Sequence, residues 1–383
     1  MIRKCVIAMF MLLSCYSTIS AQFKDCPDQI AKALEAVSKL CDGIGRNEVC
    51  YGNSQVVAEA RPDVKNLLFE KPGQIEKFQR IQSLHFSGLD NKTGVWGIAL
   101  MSLQANIANT LPGQNVKILI FGAVQIQGDA KADKSIHSLY FQSALNTTSC
   151  NDAPPNGILV QTPEGVKKVQ FSVNDVQIEL GSTIFMQAQP ATATTPGQYT
   201  ISVLEGHALL TAAGQTLYVP AGAEGIVPLD TQGRASGTPV LGYYRDSEVA
   251  HLPVSVLPKS IQITPSVVDA IGIGTDVTSS NVPDVGIWNY GYKLISSCAG
   301  WNLPPDLSGK VRITFSTDRS SFALNTDTYQ RVSEGVYVRN APYKDAVWLY
   351  TLRFTSATAF EGKITAWWAQ DKCVPVYTVT GSQ

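Results

Sequence analysis

The chain has 383 residues, of which 44% are hydrophobic and 16% are charged. This balance excludes an intrinsically disordered chain and a disulfide-stapled miniprotein, and the length allows two or three packed domains. The 30 Lys and Arg residues nearly balance the 31 Asp and Glu residues. No block of like charge creates a local field, so nucleic acid is not an expected partner.

The first residues have the order of a secretory signal. Arg3 and Lys4 precede an apolar stretch over residues 6–13, and small residues follow up to Ala21. This order predicts a signal peptide over residues 1–21 and an exported protein. The apolar stretch is too short to cross a bilayer, so no transmembrane span is expected. As an alternative, the sequence Leu-Leu-Ser-Cys ending at Cys15 resembles a lipobox, which would place a lipid anchor at that cysteine.

A helix is predicted within the first segment, residues 22–90, which is otherwise expected to be extended. Apolar residues recur there at helical spacing after a proline in a first-turn position: Pro27, Ile30, Ala33, Leu34, Val37 and Leu40. This pattern predicts a helix over residues 27–40.

Six cysteines lie outside the signal: Cys26, Cys41, Cys50, Cys150, Cys298 and Cys373. An even set in an exported protein predicts disulfides. The helix would separate Cys26 from Cys41 by about 22 Å, whereas a disulfide needs Cα atoms within about 7 Å. We therefore favour Cys41 with Cys50 and Cys26 with Cys150, and we expect Cys298 to bridge to Cys373 across the C-terminal strands. No cysteine or histidine spacing indicates a metal site, and no cofactor is expected.

Short alternating strands are predicted over residues 91–233. Residues 169–173 and 176–180 alternate on either side of Asn174-Asp175, which predicts a β-hairpin with these two residues at its tip. Residues 190–197 lie between turn-forming residues and are expected to be an exposed loop.

The same region contains an internal similarity. The sequence Leu103-Gln104-Ala105-Asn106 leads to a Pro-Gly-Gln turn and then to Gly122. The sequence Met186-Gln187-Ala188-Gln189 leads to a second Pro-Gly-Gln turn and to Gly206, about 84 residues later. A duplicated β unit and two unrelated hairpins with Pro-Gly turns both explain this similarity.

Residues 234–262 combine Pro and Gly with little periodicity, which predicts a linker or an extended strap. The remaining residues, 263–383, contain a run of predicted antiparallel strands: 286–295, 311–315, 329–338, 347–354 and 360–368. Turns are expected at 318–320, 333–335 and 340–342. These strands predict an antiparallel barrel or sandwich, and each side of the linker is expected to fold with its own strand set.

Residues 156–230 contain three short motifs in order. They are Val160-Gln161-Thr162-Pro163-Glu164-Gly165, Leu180-Gly181-Ser182-Thr183, and a strand that leads to Glu205-Gly206. This order resembles the FecR-like domain of bacteria. It implies a repetitive β fold, and the wider layout is similar to secreted or lipid-anchored proteins of the bacterial envelope. The transmembrane sigma-factor regulators of that family have a membrane span that is not expected here, which argues against direct signalling to transcription.

The candidate functional residues are few. The four histidines are scattered and no serine lies in a nucleophile elbow, so no catalytic residue is assigned. Carboxylates of the β region could converge in the fold as in glycosidases: Asp175, Glu179, Glu205 and Glu224. Neighbouring residues on a strand point to opposite faces, and Trp367 shares a face with Lys363 and Thr365 whereas Trp368 shares one with Ile364 and Ala366. Trp367 is therefore the expected outward residue and the candidate ligand contact.

The sequence thus predicts a mainly β protein with a short disulfide-tethered N-terminal helix, a central FecR-like β body and a C-terminal antiparallel barrel or sandwich. The expected function is non-catalytic binding or scaffolding at the cell envelope or surface, with a glycan or an envelope protein as partner. The alternative is an extracellular glycan-active hydrolase. A concave pocket with paired carboxylates would favour the hydrolase, and a flat surface with aromatic residues would favour binding.

Overall fold

A computed structural model describes residues 26–383 apart from 105–114, 129–137, 145–149, 151, 164–165, 167, 267–282, 284, 298–302, 318, 320, 334, 344–345 and 369–374. The described chain is mainly β, with an N-terminal helix, a two-sheet body and a closed C-terminal barrel. This confirms the predicted fold class. No helix in the described part of the chain has the length and apolar character that spanning a bilayer requires.

The N-terminal helix, α1 (Cys26–Leu40), agrees with the predicted span. Its apolar side packs on the sheet through Val37, which is fully buried. Disulfides hold both ends of the helix, because Cys26 is bonded to Cys150 and Cys41 to Cys50. These are the two pairs that the sequence favoured, while Cys298 and Cys373 lie outside the described residues.

The body contains strands β1 to β17 and short helical turns. The first nine strands are β1 (Glu48–Asn53), β2 (Val56–Ala60), β3 (Ile75–Lys77), β4 (Ile81–Phe86), β5 (Ile98–Gln104), β6 (Asn115–Phe121), β7 (Val124–Gly128), β8 (Ser138–Ser143) and β9 (Gly157–Gln161). The next eight are β10 (Val169–Val173), β11 (Val176–Leu180), β12 (Thr183–Gln189), β13 (Gly197–Glu205), β14 (His207–Ala212), β15 (Gln215–Pro220), β16 (Glu224–Leu229) and β17 (Val240–Gly242). Helix α2 (Asp246–Val249) follows, and single 3-10 turns occupy Phe78–Arg80 and Val254–Val256.

These strands form two sheets. Within the described residues, one has nine strands in the order β17-β16-β13-β12-β9-β6-β5-β1-β3, and the other has eight in the order β15-β14-β11-β10-β8-β7-β4-β2. The sheets pack face to face over one apolar core to which both contribute. In that core the buried rings of Phe141 and Tyr199 meet edge to face with centroids 5.6 Å apart, so the body is a β-sandwich.

The strand pairing of the sandwich is duplicated. In the first half β1 pairs with β5, β2 with β4, β4 with β7, β5 with β6, β6 with β9 and β7 with β8. The second half repeats the scheme from β9 onward, with β9–β12, β10–β11, β11–β14, β12–β13, β13–β16 and β14–β15. Strand β9 ends one unit and begins the next, so the internal similarity corresponds to two units of the same topology.

Glycines mark the equivalent corner in both units. Gly122 (φ 84°) and Gly206 (φ 77°) each stand where the chain leaves the nine-stranded sheet for the eight-stranded sheet. A Cβ at Gly206 would lie 2.7 Å from the carbonyl oxygen of Gly181. Both the backbone angle and the space therefore require glycine at this corner.

Two segments contribute more to the sandwich than the sequence indicates. Residues 48–86, expected to be extended, supply four of its strands. Residues 234–262, expected to be a linker or an extended strap, form β17 and α2 and bury Tyr244, Val249 and Leu252. These irregularly spaced apolar residues pack on the outer face of the nine-stranded sheet, so we call residues 244–266, which follow β17, the strap.

The C-terminal strands are β18 (Gly286–Ser296), β19 (Asp306–Phe315), β20 (Ser321–Leu324), β21 (Asp327–Ser333), β22 (Val336–Tyr343), β23 (Ala346–Ser356), β24 (Ala359–Trp368) and β25 (Val376–Ser382). Each pairs antiparallel with the next, and β25 pairs with β18 to close the barrel. Strands β20 and β25 were not predicted, and the single strand predicted over residues 329–338 is wrong, because a turn at Gly335 divides this segment into β21 and β22. The turn expected at residues 340–342 is wrong, because these residues continue β22 in register with β23.

Candidate functional site

A cross-strand row on the outer face of the nine-stranded sheet changes from apolar to polar. From β1 to β16 the row consists of Cys50, Leu100, Leu119, Leu159, Phe185, Ser202 and Glu224. Helix α1 and the strap cover the apolar part in a second core on this face. The cover stops beside Phe185, and beyond it the polar side chains of β12, β13 and β16 line a groove.

We call this cavity the sheet groove, and its volume is about 600 Å³. Its floor consists of Phe185, Gln187, Gln189, Gln198, Thr200, Ser202 and Glu224. One wall is the strap, with Tyr244, Ser247, Glu248, Val249 and His251, and the other is the loop before β9, with Cys150, Ala153 and Pro155. The Cys26–Cys150 disulfide fixes this second wall to the start of α1.

The floor side chains are held by neighbouring strands. The Gln187 side-chain amide donates to the carbonyl oxygen of Asn156 at 2.9 Å. The Ser202 hydroxyl donates to the Glu224 carboxyl at 3.2 Å. Because these contacts fix the side chains on paired strands, the floor presents its amides, hydroxyls and carboxyl in a defined order.

Two carboxyl groups line the sheet groove. Burial raises the pKa of Glu224 to about 7, and the negative charge of Glu248 adds to this increase while the Ser202 hydroxyl opposes it. Glu248 comes from the strap, where its carboxylate accepts the backbone N–H of Arg245 at 2.9 Å. At neutral pH Glu224 is therefore divided between a protonated form that donates a hydrogen bond and an ionised form.

His251 connects the groove to a neighbouring cavity. It is exposed on the strap and also borders a cavity of about 630 Å³ between the strap and α1, where Ile30 and Leu34 lie. The two cavities therefore share one exposed imidazole in their linings.

The predicted carboxylates are mostly separated from one another. Glu179 bonds to Lys168 at 2.9 Å, Glu205 to Lys259 at 2.9 Å and Asp175 to the hydroxyl of Tyr140 at 2.6 Å. Glu224 alone among the four borders the sheet groove. Its carboxylate neighbour, Glu248, was missed by the sequence analysis. The N-cap residue of α2 is Arg245, whereas the sequence pattern of a capping box has Ser, Thr, Asp or Asn at that position.

Trp367, the predicted ligand contact, lies on β24 opposite Val347. Its side chain is outside the described residues. On the same strand Ile364 and Ala366 are buried and Lys363 and Thr365 are half-buried. The side chains of residues 363–366 therefore alternate between half-buried and buried. This is the alternation from which Trp367 was assigned to the outer face.

Comparison of the chain with protein-family models, with curated proteins and with solved structures gave no match in any of the three.

Proposed function

We propose that the chain is an exported binding protein of the cell envelope or surface that holds a neutral glycan in the sheet groove. The observation that carries the proposal is the floor of amide and hydroxyl side chains from β12 and β13, among them Gln187, Gln198 and Thr200. These groups donate and accept hydrogen bonds, as the hydroxyl groups of a sugar do. The half-protonated Glu224 adds a donor without requiring a charged ligand.

Export and the FecR-like resemblance belong to the same proposal. The disulfides Cys26–Cys150 and Cys41–Cys50 are compatible with an oxidising compartment. A rigid duplicated sandwich with one open polar face suits a binding or scaffolding role, because paired strands hold recognition side chains more firmly than loops do.

Binding is tested with an array of neutral oligosaccharides, followed by calorimetry with the best ligand. The double substitution Gln198→Ala/Thr200→Val removes two floor hydrogen-bonding groups, and we expect Kd to rise about tenfold or more. The control Gln125→Ala/Gln127→Ala removes two exposed amides from the outer face of the eight-stranded sheet and should leave Kd unchanged. The proposal fails if no neutral oligosaccharide binds or if both variants weaken binding equally.

A second candidate function is glycan hydrolysis, and the pair Glu224 and Glu248 favours it. A carboxyl whose pKa is near 7 serves as a general acid, and a second carboxylate across the substrate serves as a base or nucleophile. If the chain hydrolyses the glycan that it binds, Glu224→Gln should lower the release of reducing ends by about 100-fold or more while binding persists. Absence of product from the wild-type chain leaves binding as the function of the groove.

A further inference from the structure

The inward face of the barrel changes from one end to the other. At one end the inward rings of Trp288, Phe322 and Phe354 are fully buried. Toward the other end the inward residues Tyr290 and Tyr292 on β18 are only half-buried. The apolar core therefore fills one part of the barrel and leaves solvent access in the other.

Strand β19 opens toward the same end. Val311 and Ile313 are buried on its inward side. Leu307 and Gly309 lie on that side as well, because they pair with Tyr292 and Tyr290, yet Leu307 is 41% exposed and Gly309 is exposed. An inward-facing apolar residue that remains exposed marks an opening of the barrel interior.

Aromatic rings border this opening on several strands: Tyr290, Tyr292, Trp348, Tyr350 and Tyr377. We call them the tyrosine mouth. The rings of Tyr290 and Tyr292 are 5.9 Å apart, those of Tyr292 and Tyr377 are 5.7 Å apart, and those of Trp348 and Tyr377 are 6.3 Å apart. Neighbouring rings are in contact at different inclinations, so together they form an aromatic surface beside the opening rather than one stack.

Charged groups beside the mouth balance one another. The guanidinium of Arg339 lies over the ring of Tyr350, 5.2 Å from its centroid, and bonds to Asp327 at 2.7 Å. The side chains of Asp327 and Arg339 remain 48% and 23% exposed. This pair offers hydrogen-bonding groups to a ligand without adding net charge.

We propose that the tyrosine mouth binds a small, neutral, planar aromatic or heteroaromatic molecule. Offset and edge-to-face arrangements around a planar ring are the geometry that aromatic side chains favour. An eight-stranded barrel can hold one small ligand where side chains do not fill it, and here the buried rings of Trp288, Phe322 and Phe354 lie at the opposite end. Burial raises the pKa of Tyr292 and Tyr350, so both hydroxyls remain protonated donors at neutral pH. This site is separate from the sheet groove and does not depend on the function proposed for it.

Fluorescence titration of the full chain with the neutral probe N-phenyl-1-naphthylamine tests the site. We expect saturable binding of one probe per chain, and Tyr292→Ala should raise Kd about tenfold. Tyr292→Phe keeps the ring and should stay within about threefold of the wild type. Ile287→Ala on the outer face of the same strand, where Ile287 is 57% exposed, is the matched control and should have no effect.

Gly309→Leu provides a steric block. A Cβ at Gly309 would already lie 3.1 Å from the Tyr290 ring, so a leucine fills the mouth and should abolish probe binding. Near-ultraviolet circular dichroism shows whether each variant is folded, and the Tyr292 pair decides the outcome if the leucine variant is not. The proposal is overturned by an absence of saturable binding, by wild-type affinity in Tyr292→Ala, or by an equal loss in Ile287→Ala.

Discussion

Glu224 makes the stability of the fold depend on pH in a direction opposite to that of a salt-bridged carboxylate. Its pKa is raised from an ordinary value of 4.5 to about 7, chiefly by burial. The folded state therefore holds the proton more tightly than the unfolded state does, and ionisation costs folding free energy. The stability attributed to this group is greatest below pH 4.5, falls as the pH rises toward 7, and is lowest above 7.

The size of this change in unfolding free energy follows from the pKa shift of Glu224. Each pKa unit corresponds to about 1.4 kcal/mol, so the full difference between low and high pH is about 3 kcal/mol. Glu224→Gln replaces the carboxyl with a neutral group of the same shape. The variant should match the wild type at pH 4 and exceed its unfolding free energy by up to about 3 kcal/mol at pH 8.5. Glu248→Gln removes the second cause of the shift and should reduce the pH-dependent step.

Urea denaturation at both pH values measures these differences, and the difference between each variant and the wild type cancels the titration of all other groups. The exposed Glu70 provides a control, because Glu70→Gln removes a carboxylate outside the groove. The reasoning is refuted if Glu224→Gln differs from the wild type in unfolding free energy by the same amount at pH 4 and pH 8.5. It is also refuted if Glu224→Gln is less stable than the wild type at pH 8.5.

Three further outcomes are expected. Asn174→Ala should destabilise the sandwich by about 3 kcal/mol in urea denaturation, because it removes two buried hydrogen bonds to β8 and places alanine at a φ of 52°. Asn174→Gly should recover only the part of this loss that comes from the backbone angle. Non-reducing peptide mapping should find Cys298 linked to Cys373, and free thiols at either position would contradict the link. Trp368→Ala should cost about 3 to 5 kcal/mol of unfolding free energy and Trp367→Ala little, and equal small losses would contradict the assignment of faces.

Local structure was the part of the fold that sequence could predict. Asn174 and Asp175 tolerate positive φ, here 52° and 63°, and they stand between two alternating strands, so the hairpin β10–β11 needs no information from elsewhere. Helix α1 is similarly local, since its first-turn proline and the helical spacing of its apolar residues lie within its own span. The run of strands predicted an antiparallel barrel or sandwich, whereas closure into a barrel depends on β25, which pairs with β18 from the far end of the domain.

The sheet groove could not be predicted from the sequence. Ser202 and Glu224 meet because β13 and β16 pair in a particular register, and Glu248 reaches them only after the strap folds back across the sheet. The strap itself has no regular periodicity, because Tyr244, Val249 and Leu252 are buried by contact with a distant surface rather than by a helix or strand of their own. Strand register and the position of an irregular segment both depend on tertiary structure. The proximity of Glu224 and Glu248 could therefore not be predicted from the sequence.

The duplication explains why the groove lies in the second unit. In the first unit the outer row contains Leu100, Leu119 and Leu159, and such a surface is stable in water only when another element covers it. Helix α1 and the strap provide that cover. In the second unit the same row ends in Ser202 and Glu224, which need no apolar cover, so this end of the sheet stays open. The Cys26–Cys150 disulfide then joins the cover of the first unit to the wall of the groove in the second, so that a covalent bond connects the covered part of the sheet with the open part.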